Sequence, residues 1–286
     1  MLDSKSNSIN SIPSKQFPVV GIGASAGGLE SFKRLLAAIP EKSGMAYVLV
    51  QHLAPSHESA LPEILQRVTK IPVCEITDEV TIQPDTIYVI PSNKILTTID
   101  GILRLSPRDN IKTNLIIDVF FTSLAIVRGS FAVGVVLSGT GSDGMQGLKM
   151  IKDYGGITIA QDEESAAYTD MPLNSINAGV VDFVLTPEEI PKQLLKINIS
   201  SHTGSLSNNS GKKIENDEAS AFKNILKILQ QLSGVDFVYY KQKTVRRRIA
   251  RRMAIHKAEN LGDYLNLLKA DKSELESLFQ DMLIPV

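Results

Sequence analysis

Val19-Val20-Gly21-Ile22-Gly23-Ala24-Ser25-Ala26-Gly27-Gly28 is the stretch on which the reading of the fold turns. Phe17 to Ile22 is a short apolar run without polar alternation, the pattern of a buried strand. It breaks into glycines, and Leu29, Phe32, Leu35 and Leu36 then recur at helical spacing. Strand, tight turn and helix admit two motifs here. Gly23-Ala24-Ser25-Ala26-Gly27 fits G-x-S-x-G, a sharp turn that lifts a serine oxygen above a sheet. Gly21-x-Gly23-x-x-Ala26 fits the dinucleotide fingerprint, in which glycines let a pyrophosphate approach a helix N-terminus.

The remaining pattern sets the architecture around this turn. Ala46–Val50, Val73–Ile76, the continuous apolar run Phe131–Leu137, Ile157–Ala160 and Phe183–Leu185 read as strands and alternate with helical segments. Strands of this kind belong to a mainly parallel sheet covered on both faces. Between Val80 and Leu105, short runs at Ile87–Ile90, Ile95–Ile99 and Ile102–Leu105 are separated by turn residues and predict an antiparallel excursion. Residues 198–218 are rich in Ser, Asn and Lys and predict a linker, and residues 219–286 read as an all-helical module. Residues 1–16 form a polar tail, expected to be disordered, which leaves residues 17–197 as the α/β domain.

Length and composition agree with this division. A chain of 286 residues accommodates one large and one small domain, and 43% hydrophobic residues place it among globular proteins. A net charge of −1 argues against a globally electrostatic nucleic-acid binder. The single cysteine, Cys74, excludes an internal disulfide and a cysteine metal cluster, and its apolar neighbours predict a buried thiol. The tail lacks an apolar h-region, and no stretch approaches the ~18 apolar residues of a membrane span. The expectation is a soluble, cytoplasmic protein with no metal, no cofactor and no membrane insertion.

The residues at the end of the second strand separate the two motifs. A dinucleotide site places an acid there to hold the ribose. This chain has Gln51-His52, with no acid until Glu58. A serine nucleophile instead needs a base, and imidazole is the usual one. Of four histidines, only His52 ends a strand next in order to that of Ser25. His52 and His57 have neither i,i+4 spacing nor companion metal ligands. Asp143 ends the loop after the strand Phe131–Leu137, where it could orient the imidazole. Gly139, Gly141 and Gly144 leave backbone N–H groups near it open to an oxyanion. Each residue alone has an ordinary structural reading, as turn, core histidine or Asp-Gly turn. Three matching roles at three strand ends favour a serine hydrolase over a nucleotide binder. The order Ser25, His52, Asp143 differs from that of the α/β-hydrolases.

Gly21-Ile22-Gly23-Ala24-Ser25-Ala26-Gly27-Gly28, Gln51-His52 and Ala132 to Gly144 closely resemble the chemotaxis protein-glutamate methylesterase (CheB-type) family. Thr158-Ile159-Ala160-Gln161-Asp162 and Met171-Pro172-x-x-x-Ile176-Asn177-x-Gly179 extend the resemblance over about Phe17 to Lys196. It implies a doubly wound, three-layer α/β/α sheet with an antiparallel hairpin. The activity implied is hydrolysis of glutamate γ-methyl esters on chemoreceptor helices, releasing methanol, with glutamine deamidation at the same site. Ser25 is then the nucleophile, His52 the base and Asp143 the orienting acid, with Ala26, Thr140 and Gly141 in the oxyanion loop. The family commonly has Arg-Pro-Ser before the helix of Asp118, where this chain has Asn114-Leu115-Ile116, and it usually carries a receiver domain in front. A catalytically inactive scaffold of the same fold is the alternative.

Asp236-Phe237-x-x-Tyr240-Lys241-x-x-Thr244-x-x-Arg247-Arg248-Ile249-x-Arg251-Arg252-Met253, with Tyr264-x-x-x-Leu268, resembles the helical N-terminal domain of chemotaxis receptor methyltransferases (CheR-type). The chain ends at Val286, before any domain for S-adenosylmethionine, so no transferase activity is expected. On the helix from Lys243, Val245, Ile249 and Met253 predict the packed face. Arg247, Arg248, Arg251 and Arg252 are expected on the solvent side, docking acidic receptor helices rather than nucleic acid, for which no interleaved aromatics are present. The linker is expected to keep the two modules separate.

Overall fold

The computed structural model describes residues 17–51, 60–108, 115–197 and 212–283. His52, the tail 1–16 and residues 198–211 lie outside the described residues. Seven parallel strands form the main sheet: β1 (Val19–Ala24), β2 (Ala46–Gln51), β3 (Val73–Glu75), β5 (Thr86–Val89), β8 (Ala132–Val136), β9 (Ile157–Gln161) and β10 (Phe183–Leu185). Their order is β10-β9-β8-β1-β2-β5-β3, and every pair is parallel. β4 (Val80–Thr81), β6 (Lys94–Ile99) and β7 (Ile102–Pro107) make a separate antiparallel sheet, in which β6 and β7 are a hairpin.

The two sheet faces are covered by different helices, and alternation along each strand assigns the side chains. Val20, Ile22, Leu49, Val133 and Val135 pack with Phe32, Leu35 and Leu36 of α1 (Gly28–Ala37) and with Ile190 and Leu194 of α6 (Glu189–Lys196). Val19, Val48, Val50 and Val136 face Ile117, Phe120, Phe121 and Leu124 of α3 (Ile116–Arg128) and Leu148 and Ile151 of α4 (Met145–Asp153). α3 lies close because glycine stands beneath it. A Cβ at Gly21 would meet the rings of Phe121 and Phe120 at 2.9 and 3.0 Å, and one at Gly23 would run into Ile117. Winding reverses at β1: the chain leaves it for β2 on one side and returns to β8 on the other. In open α/β sheets the crevice at the carboxyl ends of such strands is where ligands bind.

The α/β reading and the separate helical region hold, with four corrections. β5 is not part of the antiparallel excursion; Ile87, Tyr88 and Val89 are buried between β2 and β3 in the parallel sheet. Their unbroken apolar run is the signal of a strand buried on both faces. Cys74 is exposed, because β3 is the edge strand of the sheet. α7 (Lys212–Ser233) begins inside the segment expected as linker.

The fourth correction concerns the arginines. α7, α8 (Gln242–His256), α9 (Leu261–Ala270) and α10 (Lys272–Leu283) bury Phe222, Ile225, Leu229, Val245, Ile249, Tyr264 and Leu278 among themselves. Val245, Ile249 and Met253 pack inward as expected. Arg248 and Arg251, however, are buried, at 4% and 3% exposure, rather than solvent-facing. Arg251 pairs with Asp182, just before β10, and with Asp281 of α10, and its Nε donates to the Gly156 carbonyl at 2.8 Å. Lys152 of α4 lies 3.5 Å from both carboxylates. Arg247 donates to the Asp153 carbonyl and sits over the Tyr154 ring. Arg252 pairs with Glu274, which also accepts from Tyr264 at 2.6 Å and contacts His256. These side chains hold the helical module together and fix it against the amino ends of β9 and β10, away from the carboxyl-end crevice. They do not form a free docking face, and the modules are in contact.

Burial alone would raise the Asp182 and Glu274 carboxyls, but Arg251 and Lys152 hold Asp182 below its usual range, and His256 and Arg252 bring Glu274 down to about 2. Removing Arg251 would leave the buried Asp182 and Asp281 carboxylates to Lys152 alone. We predict that Arg251→Ala lowers stability in urea unfolding by roughly 3–5 kcal/mol and exposes the junction to protease, as loss of one partner from a buried ion pair does. Unchanged stability would show that the junction does not depend on this side chain.

Candidate active site

Ser25 follows the last residue of β1 and sits half-buried in the turn to α1. The turn closes through Gly27, in the left-handed region at φ 72°. Its shape is tied on three sides. The Ser25 N–H donates to the Ser138 carbonyl at 3.0 Å, and the Ser25 carbonyl accepts from the Gly28 N–H at 3.0 Å and from Gln51 Nε2 at 3.4 Å. Gly139 presses on the same residue: a Cβ there would lie 3.0 Å from the Ser25 Cβ. Strand register brings the neighbouring segments level. Gly23 pairs with Val50 of β2 and with Val136 of β8, and Ala24 pairs with Gln51. His52 is the next residue after Gln51 in the chain and lies outside the described residues.

Asp143 is buried at 6% exposure in the loop between β8 and α4. Its two carboxylate oxygens accept the N–H groups of Ile117 at 3.0 Å and Asp118 at 2.9 Å, in the first turn of α3. A helix N-terminus presents unpaired N–H groups and a positive dipole end, which is where carboxylate oxygens are accommodated. Asp118 makes the reciprocal contact, accepting the Gly147 N–H of α4 at 2.6 Å. Each helix start thus holds the acid carried by the other. Burial pushes Asp118 up to about 6, helped by the negative charge of Asp143 and opposed by the N–H groups of Gly147, Gly144 and Gln146.

The oxyanion loop divides. Ala26 is half-buried beside Ser25, and among the described residues no acceptor takes its N–H. Thr140 and Gly141 are exposed. The Gly141 N–H lies 3.4 Å from Asp170 Oδ2 and its carbonyl accepts from Asn174 Nδ2 at 2.8 Å, so α5 (Asp170–Asn177) holds that peptide from outside. The structure therefore brings Ser25, Ala26 and the β8–α4 loop to one crevice and leaves the four arginines elsewhere. Among the described residues no group of His, Cys, Asp or Glu could hold a metal ion, and no helix is long and apolar enough to cross a membrane.

Asp118, Ser138 and Gln161 were not singled out from sequence. Asp118 had a signal, as the one acid in the apolar segment from Leu115 to Ala125. Ser138 and Gln161 each end an apolar strand, but nothing in their spacing links them to one another or to Ser25.

Two protein families match the chain, one after the other. The CheB methylesterase family matches residues 20–194 and the CheR methyltransferase all-alpha domain matches residues 220–283. The crystal structure of the Thermotoga maritima CheB methylesterase catalytic domain is similar with a TM-score of 0.58 and 28% identity, covering 63% of this chain and 98% of that one. A protein-glutamate methylesterase/protein-glutamine glutaminase of Anaeromyxobacter dehalogenans is 34% identical over 182 residues, 63% of this chain and 53% of that protein. An uncharacterized 104.1 kDa protein of Rhodobacter capsulatus is 38% identical over 244 residues, 79% of this chain. The chain spans 26% of that relative's length.

The raised Asp118 carboxyl carries a pH signature. Its folded-state pKa lies above the ordinary 3.8, so its contribution to stability is fully present below about 3.8 and is lost as pH rises through about 6. At 1.36 kcal/mol per unit this contribution is on the order of 2–3 kcal/mol. Stability curves of the parent and Asp118→Asn should therefore converge or cross between these limits, the parent losing more as pH rises. Parallel curves from pH 4 to 7 would show that Asp118 titrates normally.

Proposed function

Because this chain belongs to the CheB methylesterase family, we propose that it hydrolyses glutamate γ-methyl esters through a Ser25–His52–Asp143 triad. The observation that supports this best is the register of β8, β1 and β2, which levels the carboxyl ends of three adjacent strands, with Ser25 following β1, Asp143 in the loop after β8 and Gln51, the residue before His52 in the chain, ending β2. Serine is a weak nucleophile until a base takes its proton. In this reading His52 removes the Ser25 proton as the oxygen attacks the ester carbonyl, and Asp143 stabilises the imidazolium and fixes its tautomer. The tetrahedral oxyanion is stabilised by the Ala26 N–H, with Thr140 and Gly141 in the loop across the crevice. Collapse expels methoxide, which takes the proton from His52 and leaves as methanol. Water, deprotonated by His52, then attacks the glutamyl ester on Ser25 and restores the free serine and a glutamate carboxylate.

Glutamine deamidation uses the same steps with ammonia as the leaving group. The substrate we propose is a methylated glutamate on the cytoplasmic helices of a chemoreceptor, with the helical module fixed to the esterase. A pyrophosphate cradle is less well supported, since Gln51 ends β2 where a ribose-binding acid is needed.

Methanol release from a methylated receptor fragment tests the proposal. Ser25→Ala should abolish it while leaving thermal unfolding unchanged, because Gly27 and the backbone bonds to Ser138 set the turn. Asp143→Asn should reduce kcat by roughly 10⁴-fold, the cost of the wrong imidazole tautomer. Parental turnover in Ser25→Ala would require another nucleophile and would overturn this assignment.

A further inference from the structure

Ser138 comes shortly after β8, is fully buried, and uses every polar group it has. Its N–H donates to Gln161 Oε1 at 2.9 Å, and its carbonyl accepts the Ser25 N–H at 3.0 Å. Its hydroxyl donates to the Ala26 carbonyl at 2.8 Å and accepts the Tyr168 N–H at 3.0 Å. One residue therefore grips residue 25 through its backbone and residue 26 through its side chain. Gln161 is itself buried and donates from Nε2 to Ser165 Oγ at 3.1 Å, which ties this grip to β9 and the loop beyond it. Gly139, next in the chain, donates to the Tyr168 carbonyl at 3.0 Å, so Tyr168 is paired with both residues of the β8 end.

The direction of one N–H depends on these bonds. In a planar trans peptide the N–H of Ala26 points opposite to the carbonyl of Ser25. That carbonyl is held by Gly28 and Gln51. Those bonds hold the peptide that carries the N–H; Ser138 Oγ holds the following one through the Ala26 carbonyl, so neither peptide flanking Ala26 turns without breaking a hydrogen bond. The space for this contact exists because position 27 is glycine, where a Cβ would stand 2.7 Å from Ser138 Oγ. We propose that Ser138 is a positioning residue for the reaction: its hydroxyl locks the turn after Ser25 so that the Ala26 N–H is aimed at the developing oxyanion. This rests on the serine-hydrolase reading above. An N–H fixed before the reaction begins needs no reorganisation in the transition state, which is where such donors act.

A buried hydroxyl that only fills its site would matter for stability and not for chemistry. The test is made on the full chain with a small γ-methyl glutamate ester as substrate and a peptide boronic acid as the tetrahedral mimic. Loss of a whole oxyanion donor costs about 10²–10³ in kcat, and a misdirected one should cost roughly 10–100-fold. For Ser138→Ala we expect that loss in kcat with KM within about twofold, and a matching rise in the boronic acid inhibition constant. Ser138→Thr, which keeps the hydroxyl, should recover most of both. If Ser138→Ala does not fold, Ser138→Cys, with a weaker and longer hydrogen bond, is read the same way. A kcat within twofold of the parent, or a fall in kcat with unchanged boronic acid affinity, would overturn the proposal. Ser25→Ala in the same assay separates the two ideas. If it turns over like the parent, the hydrolase reading itself fails; if it is inert while Ser138→Ala is unimpaired, only the role of Ser138 fails.

Discussion

Two backbone amides at the start of α3 hold the carboxylate of Asp143, and much of the α/β domain is arranged so that they can. Asp143 belongs to a loop after β8, and α3 is reached only after the antiparallel excursion. For the helix start to meet that loop, α3 must lie close over β1 and β8. Gly21 and Gly23 allow this, since a side chain at either would strike Phe121, Phe120 or Ile117 of α3. Glycine costs conformational entropy in a strand interior, roughly 0.5–1 kcal/mol relative to alanine. The return is a buried carboxylate held by two donors and a dipole, one strand away from Ser25.

The helix-to-helix exchange of acids adds a constraint of its own. Asp118 on α3 reaches the start of α4 while Asp143, before α4, reaches the start of α3. Two carboxylates close together in a buried site do not ionise with equal ease. The difference falls on Asp118, which is pushed up to about 6. Asp143 has a backbone N–H at each oxygen, from Ile117 and Asp118.

The parts of this arrangement that local pattern determines were legible in the sequence. Unbroken apolar runs located β1, β2, β8 and β9, and the glycine-rich turns after β1 and β8 pointed to Ser25 and Asp143. The features that were not legible depend on partners distant in the chain. Ile87–Ile90 has the pattern of a buried strand, but its position beside turn residues suggested an antiparallel run, and only pairing with β2 and β3 decides it. Cys74 looked buried from its neighbours, yet β3 is an edge strand. The arginines of α8 read as a solvent-facing charge cluster because helical periodicity reports which residues leave the module's own core. It does not report that Asp182 and the Gly156 carbonyl of the other module wait beyond. Ser138 and Gln161 are uncharged polar residues in ordinary spacing, and their roles come from three-dimensional contact alone.

The helical module is fixed at the amino ends of β9 and β10, and the crevice lies at the carboxyl ends, about 16 Å away along a five-residue strand. The proposed site and the inter-module contact are thus at opposite ends of the strands of one sheet. The central claim is that Ser25 is the nucleophile and is activated by His52. Reaction of the full chain with a fluorophosphonate, then peptide mass spectrometry, addresses it directly. A single adduct on Ser25, absent after the same exposure of His52→Ala, is the expected result. Labelling at another residue, or equal labelling of Ser25 without His52, would contradict it.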